Sequence, residues 1–143
     1  MRLLAIDYGK VRIGIAVSDN GLMARPLCTI KNKGDKKNID AIRNILGTVR
    51  DIPPDIVIGL PLHPDGNETP MSLEIRRFGK LIESELGVTV IFHNERHSSQ
   101  EAEHYIRTVM GVTKPDKIKE LLDFVSATVI LNSYIQSCGE GNK

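Results

Sequence analysis

Two short apolar runs constrain this chain more than any other feature. Asp55–Leu60 (DIVIGL) and Val88–His93 (VTVIFH) are too brief to be helices of their own and carry few polar residues. This is the pattern of strands buried on both faces. Between them Met71, Ile75, Phe78, Ile82 and Leu86 recur at helical spacing, opened by Thr69-Pro70 and stopped by Gly87. A strand, a helix and a second strand in that order require a crossover, so the two strands lie parallel in one sheet with the helix on its face.

The N-terminal part has a different rhythm. Arg2–Asp7, Val11–Ser18 and Leu22–Ile30 alternate or run apolar, separated by Tyr8-Gly9-Lys10 and by Asp19-Asn20-Gly21, the clearest hairpin signal in the chain. They predict an antiparallel meander. Ile39, Ile42, Leu46 and Val49 then mark a helix beginning at Asn38 and ended by Pro53-Pro54. Ser98 and Glu101 form a capping box before Ala102, Ile106, Val109 and Met110, and a loop over 111–116 precedes a last helix, Lys117–Gln136. Ile118, Leu121, Leu122, Val125 and Val129 are its expected buried face. The order β-β-β-α-β-α-β-α-α predicts an α/β fold: a mixed five-stranded sheet, an antiparallel meander plus parallel strands, flanked by helices. At 143 residues one core suffices. Residues 1–138 are expected to form a single domain and 139–143 a disordered tail, within a frayed end that starts at Ser137.

Composition narrows the function classes. With 41% hydrophobic and 26% charged residues, the chain reads as globular, and no segment approaches the ~18 apolar residues of a membrane span. Asp7 cuts the N-terminal apolar run short of signal-peptide length, so a cytoplasmic location is expected. Cys28 and Cys138 are far apart without metal-ligand spacing and read as reduced thiols. A net charge of +1 decides nothing about nucleic acid, because local clustering matters more than the sum. Clusters exist at Lys31, Lys33, Lys36 and Lys37, at Arg76, Arg77 and Lys80, and at Lys114, Lys117 and Lys119; a solvated face explains many such runs equally well.

Ligand chemistry in open α/β sheets collects beyond the carboxyl ends of strands. Asp7 closes the first strand, where a carboxylate after apolar residues must be solvated, hydrogen-bonded or bound to a cation. A turn-forming Asp is the plain alternative. Glu95 follows the last strand directly, with Arg96 beside it to pair with an acid or a phosphate. Asp123 enters a helix stretch whose following residues, 124–131, are nearly all small or apolar, so it needs a partner; an exposed pair with Lys119 is the alternative. Three carboxylates from separate segments can bind divalent metal, and two such cations about 4 Å apart can activate water and stabilise a leaving oxygen in phosphodiester cleavage.

Taken in order along nearly the whole chain, these features resemble the ribonuclease H-like nucleases and, within them, the YqgF (RuvX) family. The residues carrying the resemblance are DYGKVRIGIAVSD at 7–19, IGLPL at 58–62 with Asp65-Gly66, Asn94-Glu95-Arg96, and Leu122-Asp123 leading into Ala127 and Ile130-Leu131. The resemblance implies a cytoplasmic nuclease in which Asp7, Glu95 and Asp123 are catalytic and hold Mg²⁺ or Mn²⁺. It also implies a nucleic-acid substrate: structured precursor rRNA, in maturation of the 5′ end of pre-16S rRNA, or branched DNA, in Holliday-junction resolution. Junction cutting would favour a symmetric homodimer, whereas nothing in the sequence separates monomer from dimer. The chain departs from the family at Asn94, where Asp is usual, and at Val125 and Ser126, where alanines are usual.

Further residues take supporting roles beside the acids. Lys10 and Arg12 lie within one turn of Asp7 and are expected to contact substrate phosphate, although strand alternation also allows Arg12 to face solvent. Gly59 and Pro61 would let a backbone approach substrate, and Arg96 completes the substrate-binding set. His93 and His97 flank Glu95 with no spacing that fixes their direction. Two other classes compete: sugar-kinase and actin-like ATPases, which hold nucleotide between two such domains where this chain has length for one, and a silent binding module of the same fold. Metal-dependent cleavage separates the nuclease from the latter.

Overall fold

A computed structural model of the chain describes residues 2–48, 54–95 and 98–141. Val49, Pro53, Arg96, His97 and the last two residues lie outside the described set, as does the side chain of Ser98. The elements are β1 (Leu3–Tyr8), β2 (Arg12–Ser18), β3 (Arg25–Lys31), α1 (Asp35–Gly47), β4 (Asp55–Leu60), α2 (Pro70–Leu86), β5 (Val90–Asn94), α3 (Ser98–Thr108) and α4 (Pro115–Gly141). One five-stranded sheet runs in the order β3-β2-β1-β4-β5. The meander pairs antiparallel, while β4 and β5 run parallel to β1. The expected order and mixed sheet are both present. Among the described residues no helix is long and apolar enough to cross a membrane.

Alternation along the strands divides the sheet into two unlike faces. Leu4, Ile6 and Tyr8 of β1, with Ile13, Ile15, Ile56 and Ile58, pack large side chains against α1 and α2, where Ile42, Ile75, Phe78 and Ile82 are sealed from solvent. Leu3 and Ala5, with Ala16 and Val57, meet Ala127, Ile130 and Leu131 of α4. Small residues on this second face let α4 lie close to the sheet. The expected stripe on α4 has a different neighbour: Ile118, Val125 and Val129 pack with Ala102 and Ile106 of α3. A helix apolar on two sides is buried on two sides, and the sequence stripe captured only one.

At Gly14 α4 comes close to the sheet. A Cβ there would stand 2.6 Å from the Asp123 carbonyl oxygen. Gly14 is also the cross-strand partner of Asp7. One missing side chain therefore sets how near the helix acid comes to the strand acid.

Several boundaries differ from expectation for local reasons. The Asp19-Asn20-Gly21 turn is a longer loop: the Asn20 side-chain oxygen accepts from the Leu22 and Met23 amides at 2.9 and 3.2 Å, which leaves those two apolar residues exposed and starts β3 at Arg25. Helix α1 starts three residues before the expected Asn38, at Asp35. Helix α3 stops at Thr108, leaving Val109 exposed rather than helical. Helix α4 continues through 137–141, where a frayed end was expected, because no Pro interrupts it and Ser137 Oγ folds back to donate to the Tyr134 carbonyl at 2.7 Å. The β4 span and the α2 span match expectation, the latter capped by reciprocal hydrogen bonds between Thr69 and Ser72.

Adding a methyl group at Gly14 forces α4 off β2, and overpacking of this kind costs about 1–3 kcal/mol. Gly14→Ala is expected to lower the urea midpoint accordingly. An unchanged midpoint would show that α4 is not held against the sheet at this point.

Candidate active site

Asp7 is the last residue of β1 on the α4 face, in line with Leu3 and Ala5. Burial pushes its carboxyl from 3.8 up to about 7, and the charges of Glu95 and then Asp123 push in the same direction, against a hydrogen bond from Ser126. The three expected acids are thus close enough to act on one another.

Two glycines on the strands flanking Asp7 make that convergence possible. On one side Gly14 admits the α4 backbone carrying Asp123. On the other, β4 pairs with β1 through Ile6 and Ile58, so Gly59 is the next residue along. A Cβ on Gly59 would stand 2.7 Å from Glu95 Oε2. The Glu95 carboxylate therefore lies over Gly59, and its backbone N–H donates to the Leu60 carbonyl at 2.9 Å, fixing it directly beyond the sheet. Gly59 serves as the seat of Glu95. Pro61 stands just past β4, where its carbonyl accepts from the Thr69 hydroxyl at 2.9 Å and so belongs to the cap of α2.

Asp123 sits at the rim, exposed rather than buried as its sequence neighbours suggested. Its partner is Arg12, whose Nη1 donates to Oδ2 at 3.0 Å, with the two side chains 58% and 56% exposed. Arg12 thus lies on the α4 side of the sheet while remaining largely exposed to solvent. Lys10 is exposed in the turn before it. That turn is anchored from β3: Asn32 donates from its side chain to the Gly9 carbonyl at 2.9 Å and from its backbone to the Val11 carbonyl at 2.9 Å. Buried Asn38 in turn donates to the Asn32 side-chain oxygen at 2.9 Å and accepts from the Lys33 amide at 3.1 Å. Asn32, Asn38 and Ser126 escaped the sequence reading; the one available signal was Asn38 itself, a polar residue one helical turn before Ile42 on the apolar stripe.

Lysines border this corner. Lys31 is the cross-strand partner of Arg12, and Lys31, Lys33 and Lys37 line one groove with Asp40 and Asn44. None of these three, nor Lys10, forms an ion pair among the described residues.

The structure also fixes the direction of two doubtful neighbours. His93 faces α4, with Nε2 3.0 Å from Ser133 Oγ and its ring edge-on to Tyr134, and burial lowers its pKa. Asn94 follows His93 in β5 and therefore points to the opposite face. Its exchange for the usual Asp falls away from Asp7 and Glu95.

Three hard oxygen donors, the most buried of them lifted in pKa first by its burial and then by the other two, are the donor chemistry that suits Mg²⁺ or Mn²⁺. The side chains as placed are not yet a clasp: among the described residues no group of three or more His, Cys, Asp or Glu is arranged to hold a metal ion. Asp123 is turned to Arg12 instead.

Comparison with known proteins places this arrangement. The family described as "RuvX: Holliday junction resolvase" matches residues 1–137. A protein of Burkholderia cenocepacia (strain HI2424) named "Putative pre-16S rRNA nuclease" is 37% identical over 142 residues, which cover 96% of this chain and 91% of that one. One of the same name from Burkholderia lata is 38% identical over the same shares. Among solved structures, "T. thermophilus RuvC in complex with Holliday junction substrate" matches at a TM-score of 0.61 with 17% identity, covering 97% of this chain and 96% of that one, a likeness of fold. Fold, order of elements and relatives agree, and the chain belongs to the RuvX family.

Proposed function

We propose that this chain is a metal-dependent nuclease that hydrolyses phosphodiester bonds in structured precursor rRNA at the 5′ end of 16S rRNA. The observation that carries this is Asp7, a carboxyl lifted to about 7 at a strand end by its burial and by two further acids. A fold gains nothing in stability from such a cluster, whereas a cation relieves it. Asp7, Glu95 and Asp123 would hold a divalent ion, which would supply Lewis acidity at the scissile phosphate and lower the pKa of a bound water. The chain's own part is to hold Glu95 over Gly59, to hold Asp123 beside Gly14, and to bind flanking phosphates with Lys10, Arg12 and the lysines of the β3–α1 corner. Arg96 is proposed as a further phosphate contact. The wider substrate alternative, a four-way DNA junction, uses the same chemistry, and its place in the family description makes it the necessary comparison.

The deciding experiment incubates the purified chain and Asp7→Asn with precursor 16S rRNA fragments and with four-way junctions in Mn²⁺, Mg²⁺ or EDTA. Cleavage of the RNA by wild type alone, only with metal, is the expected result. Equal behaviour of the two proteins in all conditions sinks the nuclease reading, and junction cutting without RNA cutting replaces the substrate.

Asp7 also dictates a pH effect of known sign. Its folded pKa lies above its unfolded value, so the folded state holds the proton more tightly and stability falls as pH rises from about 4 to about 7. Asp7→Asn removes that penalty. In metal-free melts at pH 8 the variant is expected to exceed wild type by about 2–4 kcal/mol, with the difference vanishing near pH 4; a less stable variant at pH 8 would refute the assigned burial.

Phosphate binding at the lysine corner has a separate signature. The triple change Lys31→Gln, Lys33→Gln, Lys37→Gln is expected to weaken binding of all structured RNAs alike and to flatten the log-affinity against log-salt slope by about 2–3. An unchanged slope would leave these lysines as a solvated face.

A further inference from the structure

The Arg12–Asp123 pair joins a proposed phosphate contact to a proposed metal ligand, and the two roles exclude each other. While Arg12 Nη1 donates to Asp123 Oδ2 at 3.0 Å, that oxygen is occupied by a cation and no three-acid clasp exists among the described residues. The groove around the pair is also lined by Thr29, Lys119, Asp116 and Glu120. Glu120 is paired with Lys117 at 3.8 Å. The Thr29 hydroxyl is buried with no hydrogen-bond partner, which is costly unless something arrives to use it. Lys119 has no ion-pair partner among the described residues. A guanidinium, a free hydroxyl and a free ammonium around one open groove are the donor set for a phosphate.

We propose that this groove is a phosphate subsite whose filling releases Asp123: a backbone phosphate of the nucleic acid engages Arg12, Thr29 Oγ1 and Lys119, Arg12 leaves Asp123, and the freed carboxylate turns to metal. Arg12 is then a positioning residue that acts through Asp123. Metal and nucleic acid bind cooperatively, each favouring the other by the same factor. The size of that factor is bounded by the pair itself, which is exposed on both sides and therefore modest: about two- to five-fold. This inference rests on the nuclease reading above.

The test is calorimetric titration of the full chain with Mn²⁺, alone and with a phosphorothioate-linked RNA hairpin, after subtracting Mn²⁺ taken up by the hairpin. Arg12→Gln is expected to bind Mn²⁺ about two- to five-fold more tightly than wild type without RNA. Wild type is expected to gain a similar factor when the hairpin is added, and Arg12→Gln to gain none. Arg25→Gln removes the same charge from the far end of the neighbouring strand, where Arg25 pairs with Asp19, and should leave Mn²⁺ affinity unchanged. Thr29→Val, close in volume and free of the orphaned hydroxyl, should keep the RNA-free affinity and lose part of the gain. Equal or weaker Mn²⁺ binding by Arg12→Gln, or an equal rise in Arg25→Gln, overturns the exchange while leaving the nuclease reading intact. Absence of Mn²⁺ binding in wild type with and without RNA overturns both.

Discussion

Everything at the carboxyl end of this sheet follows from placing Asp7 where a core strand stops. The four residues before it, Leu3 to Ile6, are buried, and the carboxyl inherits their poor solvation without inheriting their apolar chemistry. An isolated carboxylate in that position would keep its proton and do nothing. Here two more acids are brought against it, by the absence of side chains rather than by their presence. Gly14 lets a helix backbone come within van der Waals contact of β2, and Gly59 leaves a hollow that the Glu95 carboxylate fills. Each glycine sits on a strand adjacent to β1, so the strand acid is bracketed by two vacancies, one for each of its companions.

The arrangement works against folding. A carboxyl lifted to about 7 marks a native state that would be more stable without the charge, and the stability has to come from elsewhere. It comes from the opposite face of the sheet, where isoleucines of β1, β2 and β4 close on Phe78, Ile75 and Ile82 with almost no solvent exposure. The two faces divide the labour: the large side chains stabilise, while the small ones let the helix approach and so build the site. A hydrogen-bonded asparagine pair, half-buried Asn32 and buried Asn38, then fixes the β1–β2 turn to the β3–α1 corner, which keeps Lys10, Arg12 and the corner lysines in one frame with the acids.

How much of this the sequence shows depends on how far apart the interacting parts are. Short-range patterns were legible: DIVIGL as a doubly buried strand, the Thr69-Pro70 start and Gly87 stop of α2, and the acids at or near strand ends. The two stripes of α4 were half legible, because Val125 and Val129 stand out as apolar while Ala127 announces nothing, yet it is Ala127 that lies against the sheet. Across long separations the meeting of the three acids was legible through the family resemblance, while other pairings were not. Arg12 and Asp123 are 111 residues apart, and no periodicity tells an arginine at a strand start which of several acids it will meet. Gly59 was visible as a special position but its occupant was not, since a glycine announces an approach without naming what approaches.

Position 94 shows how a single geometric fact can reverse the weight of a sequence difference. An amide in place of a carboxylate beside Glu95 looks, in one dimension, like damage to the site. Strand alternation separates the two: His93 turns to Ser133 and Tyr134 of α4, so the next side chain must leave from the other face. Glu95, one step further, returns to the α4 face and lands over Gly59. Adjacency in sequence along a strand therefore means opposition in space, and the acids that act together are those separated by the whole fold rather than those that are neighbours in the chain.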